Sequence, residues 1–239
     1  MDLGIAGKVA LVTASSKGLG RASAIALAED GCKVVICARG EDALNDAAAS
    51  MSGEVHAVVA DVTRPEVPQQ LVDTAVARYG GVDILVGNAG GPPPGRALDV
   101  DDDALRAALE ANLLTSVRLV RSAVPHMRAG GWGRICLITS SSIKQPIPVL
   151  ALSNTARTAL WAWAKTAAAD LFPEGITLNL ACPGVHATDR MKQLGGLGDG
   201  VYGDPADFGR VVAFLCSEQA NFVSGTALQV DGAATLGLL

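Results

Sequence analysis

The chain has 239 residues, of which 49% are hydrophobic and 18% charged, enough apolar side chain for one large core and too much for intrinsic disorder. Nineteen basic against 24 acidic side chains leave a net charge of -5, which argues against a nucleic-acid partner. No uninterrupted apolar stretch reaches the roughly 18 residues of a membrane helix, so no membrane partner is expected.

Along the chain, short apolar runs alternate with longer Ala-rich stretches of helical period. Val9-Ala10-Leu11-Val12, Lys33-Val34-Val35-Ile36-Cys37 and Val55-His56-Ala57-Val58-Val59 read as the first three strands. Val82-Asp83-Ile84-Leu85-Val86, Arg134-Ile135-Cys136-Leu137-Ile138 and Ile176-Thr177-Leu178-Asn179-Leu180 supply three more, with a seventh at Ala227-Leu228-Gln229-Val230. Continuous apolarity, in place of strict alternation, suits a parallel sheet covered on both faces. Helical patterns run over about 20–29, 66–78, 103–128, 154–171 and 205–217. The alternation predicts a doubly wound α/β fold in which 1–239 forms one domain. Between 184 and 204, Gly195, Gly196, Gly198 and Gly200 imply a mobile loop.

Five cysteines (32, 37, 136, 182 and 216) are odd in number and mostly inside apolar runs, so they read as reduced, buried thiols. The opening Met1-Asp2-Leu3-Gly4-Ile5 has no basic region, so no secretory signal is expected and a cytoplasmic location is. His56, His126 and His186 lie too far apart to suggest a metal site.

After the first strand comes Thr13-Ala14-Ser15-Ser16-Lys17-Gly18-Leu19-Gly20, then a helix. A strand turning tightly into a helix presents free N–H groups and the positive end of the helix dipole, where a pyrophosphate can sit. In this position Gly18 and Gly20 point to a dinucleotide site. An acidic residue at the end of the second strand would bind the ribose 2′-hydroxyl of NAD. Here that strand ends Cys37-Ala38-Arg39, with no carboxylate until Glu41. Arg39, with Lys17 in the turn, suits a 2′-phosphate, so NADP(H) is favoured over NAD(H).

These features resemble the short-chain dehydrogenase/reductase family almost end to end, and with it a Rossmann-like fold. The first turn resembles the family's Thr-Gly-x-x-x-Gly-x-Gly, Asp61-Val62 its adenine-contacting pair, and Asn88-Ala89-Gly90 its Asn-Ala-Gly element. Asn112 falls where the family's active-site Asn sits. Asn179-Leu180-Ala181-Cys182-Pro183-Gly184 resembles Asn-x-x-x-Pro-Gly, and by that resemblance Pro183, Gly184, Val185 and Thr188 hold the nicotinamide carboxamide. Val230-Asp231-Gly232 resembles the terminal Val-Asp-Gly-Gly. The resemblance also implies a homotetramer or homodimer, with one of Trp161 and Trp163 in the core and the other at a subunit contact.

Three departures stand out. Ala14 and Ala233 replace glycines of the first and last motifs. The family pairs Ser with Tyr-x-x-x-Lys; here Ser140 keeps its place, but Ser153 stands for Tyr and Arg157 for Lys. The segment is similar to an atypical subgroup with an imperfect tetrad, some labelled as resembling 3-oxoacyl-[acyl-carrier-protein] reductases. An alcohol is a poorly matched proton donor, and losing a positioned acid forfeits roughly 10²–10⁴ in rate. Holding the reactants together is worth more, so hydride transfer to a small carbonyl, or from an alcohol, is still expected. Asn112, Ser140, Ser153 and Arg157 form the expected site, with Arg157 bonding the nicotinamide ribose. The other reading is a cofactor-binding sensor or assembly protein without turnover.

Tyr202, Lys144 and His186 are candidate replacement donors, each weighed against an ordinary surface or structural role, while Tyr79 reads as structural. Asp101-Asp102-Asp103 reads as a helix cap and not a metal site. Gly91-Pro92-Pro93-Pro94-Gly95 is expected to wall the pocket.

Overall fold

The five central strands of the sheet have apolar residues on both sides, and the computed structural model, which describes residues 2–193 and 200–237, buries both, while the two edge strands stay partly exposed. The strands are β1 (Val9–Val12), β2 (Lys33–Ala38), β3 (Val55–Val59), β4 (Ile84–Gly87), β5 (Gly133–Ile138), β6 (Ile176–Pro183) and β7 (Ala227–Val230). They pair in parallel in the order β3-β2-β1-β4-β5-β6-β7. The helices are α1 (Gly18–Glu29), α2 (Glu41–Ala49), α3 (Val67–Tyr79), α4 (Asp102–Leu109), α5 (Thr115–Gly130), α6 (Ala151–Leu171), α7 (Asp189–Gln193) and α8 (Pro205–Leu215).

Successive residues of β1 feed opposite cores. Val9 and Leu11 join Leu71 of α3, Leu119 of α5 and Leu160 of α6. Ala10 and Val12 join Leu27 of α1, Leu44 of α2 and Phe208 of α8. This two-faced burial explains why the strands read as unbroken apolar runs. Because β1 pairs with β2 on one side and β4 on the other, the order of winding reverses there, and the carboxyl ends of β1 and β4 mark the switch point where an open α/β sheet has its ligand crevice.

Several boundaries differ from the sequence expectation, each for a tertiary reason. The helix expected over 103–128 is two helices, α4 and α5, joined by a π-helical turn at Glu110–Leu114. Thr115 Oγ1 donates to the carbonyl of Glu110, five residues back, at 3.1 Å, and Arg118 pairs with Glu110 across the turn. An extra residue inside a helix leaves little trace in apolar periodicity; such turns often mark functional positions, and this one carries Asn112. Helix α6 begins at Ala151, not 154, because Leu152 and Ala156 pack on Ala108 of α4 and the Ala151 N–H donates to the carbonyl of Gly95. Strand β6 runs on to Pro183 because β7 lies beside it, pairing Cys182 with Gln229 and Pro183 with Val230.

Of the Gly-rich stretch expected to be a mobile loop, 194–199 lie outside the described residues; its flanks form α7 and a short His186–Gly203 bridge. No helix among the described residues is long and apolar enough to cross a membrane. Among them, too, no group of three or more His, Cys, Asp or Glu is placed to hold a metal ion. Asp101 caps α4, its Oδ1 accepting the Ala104 N–H at 2.8 Å, while Asp102 and Asp103 pair with Arg106.

Candidate active site

The crevice is fastened at its base by three side chains, those of Thr13, Asn88 and Ser15. Thr13 Oγ1 donates to the carbonyl of Asn88 at 2.7 Å and accepts the Asn88 N–H at 2.9 Å, tying the carboxyl ends of β1 and β4 together. Asn88 Nδ2 in turn donates to the carbonyl of Ala14 at 3.1 Å. Ser15 Oγ donates to the carbonyl of Val12 at 2.9 Å and accepts the Cys37 N–H at 3.2 Å, so the turn is also pinned to β2.

Above this base the turn is kept bare. Gly18 has φ +57°, a left-handed conformation that costs a glycine little, and a Cβ there would lie 3.6 Å from Thr188 Cγ2. A Cβ on Gly20 would come within 2.6 Å of both the Ala14 carbonyl oxygen and Asn88 Nδ2. The N-cap of α1, Lys17, is extended and its side chain makes no capping bond, which leaves the first N–H groups of α1 without a side-chain acceptor among the described residues. Ser16 and Leu19 complete the turn, both half-buried. A glycine cradle with unclaimed backbone donors suits a pyrophosphate, so these residues fit a dinucleotide.

At the other end of the crevice, β2 closes on the exposed Arg39. Asp61 lies beyond β3, and the Thr63 hydroxyl holds its carboxyl below the ordinary value, at 2.8 Å. The Thr63 N–H and the Arg39 and Arg64 charges act in the same direction, against its burial. Val62 beside it is buried in the core.

The chemical end is built from β5, the π turn and α6. Ser140 follows β5 and caps a short 3-10 turn, Ser141–Ile143, its Oγ accepting the Ser142 N–H at 3.1 Å. That bond uses the hydroxyl oxygen and leaves its proton free to donate. Ser153 is buried in the first turn of α6. Asn112 is buried in the π turn; its Nδ2 reaches the Ala108 carbonyl at 3.4 Å, while Oδ1 finds no partner among the described residues. One turn after Ser153, Arg157 is buried with it, and Nη1 donates to the carbonyls of Ile138 at 2.9 Å and Thr139 at 3.2 Å. Burial lowers its guanidinium to about 10, and it stays protonated at neutral pH.

Two residues beside Ser140 escaped the sequence reading. Thr139 Oγ1 donates to the Ala181 carbonyl at 3.3 Å and lies 3.2 Å from Cys182 Sγ, joining β5 to β6 just before Pro183-Gly184. Ser142 Oγ is buried without a partner among the described residues. The only trace in the sequence was the hydroxyl run Thr139-Ser140-Ser141-Ser142 at the end of a strand. Beyond β6, the Gly184 N–H donates to the carbonyl of Val230, and a Cβ on Gly184 would lie 2.7 Å from Asp231 Cβ. Ala89 and Gly90 follow Asn88 off β4; Val185 is exposed, and Thr188 stands beside Gly18.

The candidate replacement donors sort differently. Lys144 lies over the Trp161 ring, 4.1 Å from its centroid. His186 is buried edge-on to Phe208, with Nδ1 3.2 Å from the Gly184 carbonyl oxygen, a packing role. Tyr202 is half-buried beside Gly200, where an added Cβ would lie 3.1 Å from its hydroxyl. Tyr79 closes α3 against the core, flanked by Lys33 and Arg78. Trp161 and Trp163, both half-buried, pack against the same core. The Gly91–Gly95 segment is stitched to the lead-in of α6, the Gly95 N–H donating to the Val149 carbonyl at 2.8 Å, and Arg190 Nη2 donates to the Pro92 carbonyl at 3.3 Å.

Seven parallel strands that open at one switch point over a glycine turn define a dinucleotide-binding protein of the doubly wound α/β class. The chain belongs to the short-chain dehydrogenase/reductase family, a family of oxidoreductases: the profile described as Enoyl-(Acyl carrier protein) reductase matches residues 13–235. It is similar to human Dehydrogenase/reductase SDR family member 4, 35% identical over 95% of this chain and 87% of that protein. The pig protein of the same name is 34% identical over 94% and 86%. Among solved structures it is similar to L-sorbose reductase from Gluconobacter frateurii complexed with NADPH and L-sorbose, with TM-score 0.90 and 33% identity over 97% of this chain and 98% of that one. A 7α-hydroxysteroid dehydrogenase complexed with NADH and 7-oxo glycochenodeoxycholic acid matches with TM-score 0.92 and 29% identity over 100% of this chain and 98% of that one.

Proposed function

We propose that this chain is an NADP(H)-dependent oxidoreductase acting on a small carbonyl or alcohol, with proton delivery unlike that of the family's Tyr-Lys pair. The observation that carries this reading is Ser140, whose hydroxyl oxygen is held by the Ser142 N–H at the carboxyl edge of the sheet and whose proton is free to polarise a carbonyl.

The nicotinamide, when bound, supplies or accepts the hydride. Lys17, Gly18, Leu19 and the first N–H groups of α1 would hold the pyrophosphate. Arg39 would bind the 2′-phosphate, and Asp61 and Val62 the adenine. Asn88, Ala89 and Gly90 would support the nicotinamide ribose, and Pro183, Gly184, Val185 and Thr188 would hold the carboxamide. The Ser140 hydroxyl donates to the carbonyl oxygen in the direction of reduction. The proton for the alkoxide formed by hydride addition would arrive through water replenished from solvent, for which the unclaimed, buried Oδ1 of Asn112 offers an acceptor; Ser153 is buried at the start of α6. The neighbouring structure that carries NADPH supports the choice of dinucleotide, as does the guanidinium standing where an NAD site needs a carboxylate. Five free, buried cysteines suit a reducing compartment, hence the cytoplasm, and the family resemblance supports a homotetramer or homodimer.

Fluorescence titration with NADPH tests the cofactor: Arg39→Ala is expected to weaken NADPH by about 10–100-fold and leave NADH unchanged. A carbonyl panel followed by NADPH absorbance tests the chemistry, with Ser140→Ala lowering kcat by about 10²-fold. NADPH binding with no turnover across a broad panel would transfer the protein to the sensor or assembly reading.

A further inference from the structure

The family places a cation at position 157 to hold the nicotinamide ribose, and the sequence alone assigns Arg157 that task. Its environment points elsewhere. Arg157 is 8% exposed, so little of its surface is open to a ligand. Nη1 forks onto the carbonyls of Ile138 and Thr139, the two residues immediately before Ser140. Thr139 is itself held on three sides: its N–H donates to the Ala181 carbonyl at 2.8 Å, its hydroxyl donates to the same carbonyl, and that hydroxyl lies beside Cys182 Sγ. Past Ser140, the chain is fixed by the Ser142 N–H on Ser140 Oγ. The catalytic hydroxyl therefore sits between two restraints, with the guanidinium supplying the upstream one from a neighbouring helix.

We infer that Arg157 is a positioning residue: it clamps the end of β5, fixes the hydroxyl of Ser140 at the cleft, and takes no part in holding the cofactor or moving a proton. A guanidinium suits this use, because its N–H groups diverge in a rigid plane and it does not titrate near neutral pH, whereas an ammonium is a point charge on a flexible stem. The inference rests on the oxidoreductase reading above for its consequence in turnover, but not for the clamp itself.

Exchange and cofactor affinity test the clamp itself, and turnover tests its consequence. In the protein without cofactor, amide hydrogen exchange is expected to speed up across residues 138–143 in Arg157→Met, while the 13–20 turn keeps its protection. On NADPH, Arg157→Met is expected to change Kd by less than about threefold. With a carbonyl substrate from the panel, kcat is expected to fall by about 10²-fold, the scale of a small misplacement of a reacting group. Arg157→Ala is expected to regain part of that loss on addition of millimolar guanidinium, which a general loss of stability would not produce. Unchanged exchange over 138–143 overturns the clamp whatever the activity. A fall in NADPH affinity of tenfold or more also overturns it, by returning Arg157 to the cofactor. If the unmodified protein shows no turnover, the oxidoreductase reading fails while the exchange and affinity results still decide the clamp. Should Arg157→Met not fold, Arg157→Lys, which keeps the charge, takes its place with the same expected signs in exchange and affinity.

Discussion

Two alanines in this chain occupy backbone that glycine adopts at little cost. Ala14 has φ +48° and Ala233 has φ +66°, and both stand where the family's motifs carry glycine. The left-handed conformation brings Cβ toward the following carbonyl and costs a non-glycine residue roughly 1–2 kcal/mol. At Ala14 that cost is offset by structure: its carbonyl accepts from Asn88 Nδ2, and Ser15 anchors the next residue to β1 and β2. Ala14→Gly is therefore expected to stabilise the protein by about 0.5–1 kcal/mol, after subtracting the greater freedom glycine has in the unfolded chain. A urea-melting midpoint that fails to rise would show that the turn has already absorbed the strain. The strained residue lies inside the turn proposed to hold the pyrophosphate, so the same variant also reports whether this departure from the motif tunes cofactor affinity.

At the scale of elements, the first turn and α1 act as one unit with β4. Gly20 lies where α1 meets the Ala14 carbonyl and the Asn88 amide, both within 2.6 Å of any added Cβ. Neither neighbour yields cheaply, because one is backbone and the other is the amide that fastens the turn. Gly20→Ala is expected to cost about 1–3 kcal/mol by overpacking and to weaken NADPH binding, since relief requires α1 to move away from the turn. Denaturation and fluorescence titration on one preparation read both effects; a loss of affinity without a loss of stability would contradict the steric cause. The π turn before α5 is a second unit of this kind. It buries Asn112 between α4 and α5, and α4 meets α6 through Ala108, Leu152 and Ala156.

Across the whole molecule, the cysteines couple burial to pH. Burial in the two cores raises Cys32 to about 12 and Cys37 and Cys182 to about 11, against an ordinary 9.0. Cys216 is raised as well, first by its hydrogen bond with Cys136 and then by burial. A raised thiol binds its proton more tightly in the folded state, so its contribution is fully present below pH 9.0 and is lost as pH climbs through the folded value. Stability is thus expected to fall from about pH 9 upward, by up to about 1.4 kcal/mol per pH unit for each such thiol. Thermal melts between pH 7 and 10.5 check the direction, and a Cys37→Ala/Cys182→Ala double variant should flatten the slope. A melt that rises over this range would mean that other titrations dominate. In the native state the same burial is expected to keep all five thiols slow toward alkylating reagents at neutral pH.

The sequence by itself determined the sheet, its parallel sense and the place of the cleft, because two-faced burial forces unbroken apolar strands and a strand-to-helix turn needs glycine where phosphate approaches. It also carried Ser140, Arg39, Asp61 and Asn88 to the right edge of that sheet, since residues at strand ends are fixed by the strands themselves. Only the tertiary structure decided the rest. The π turn under Asn112 and the early start of α6 come from packing between helices distant in sequence, which periodicity along one helix does not register. The hydrogen bonds of Arg157 to the carbonyls of Ile138 and Thr139, 19 and 18 residues away, on which the inferred clamp rests, are likewise set by the packing of α6 on the end of β5. The contacts of His186 with Phe208 and of Lys144 with Trp161 also come from segments distant in sequence. What a side chain is follows from the sequence; which groups it meets follows from how distant segments pack.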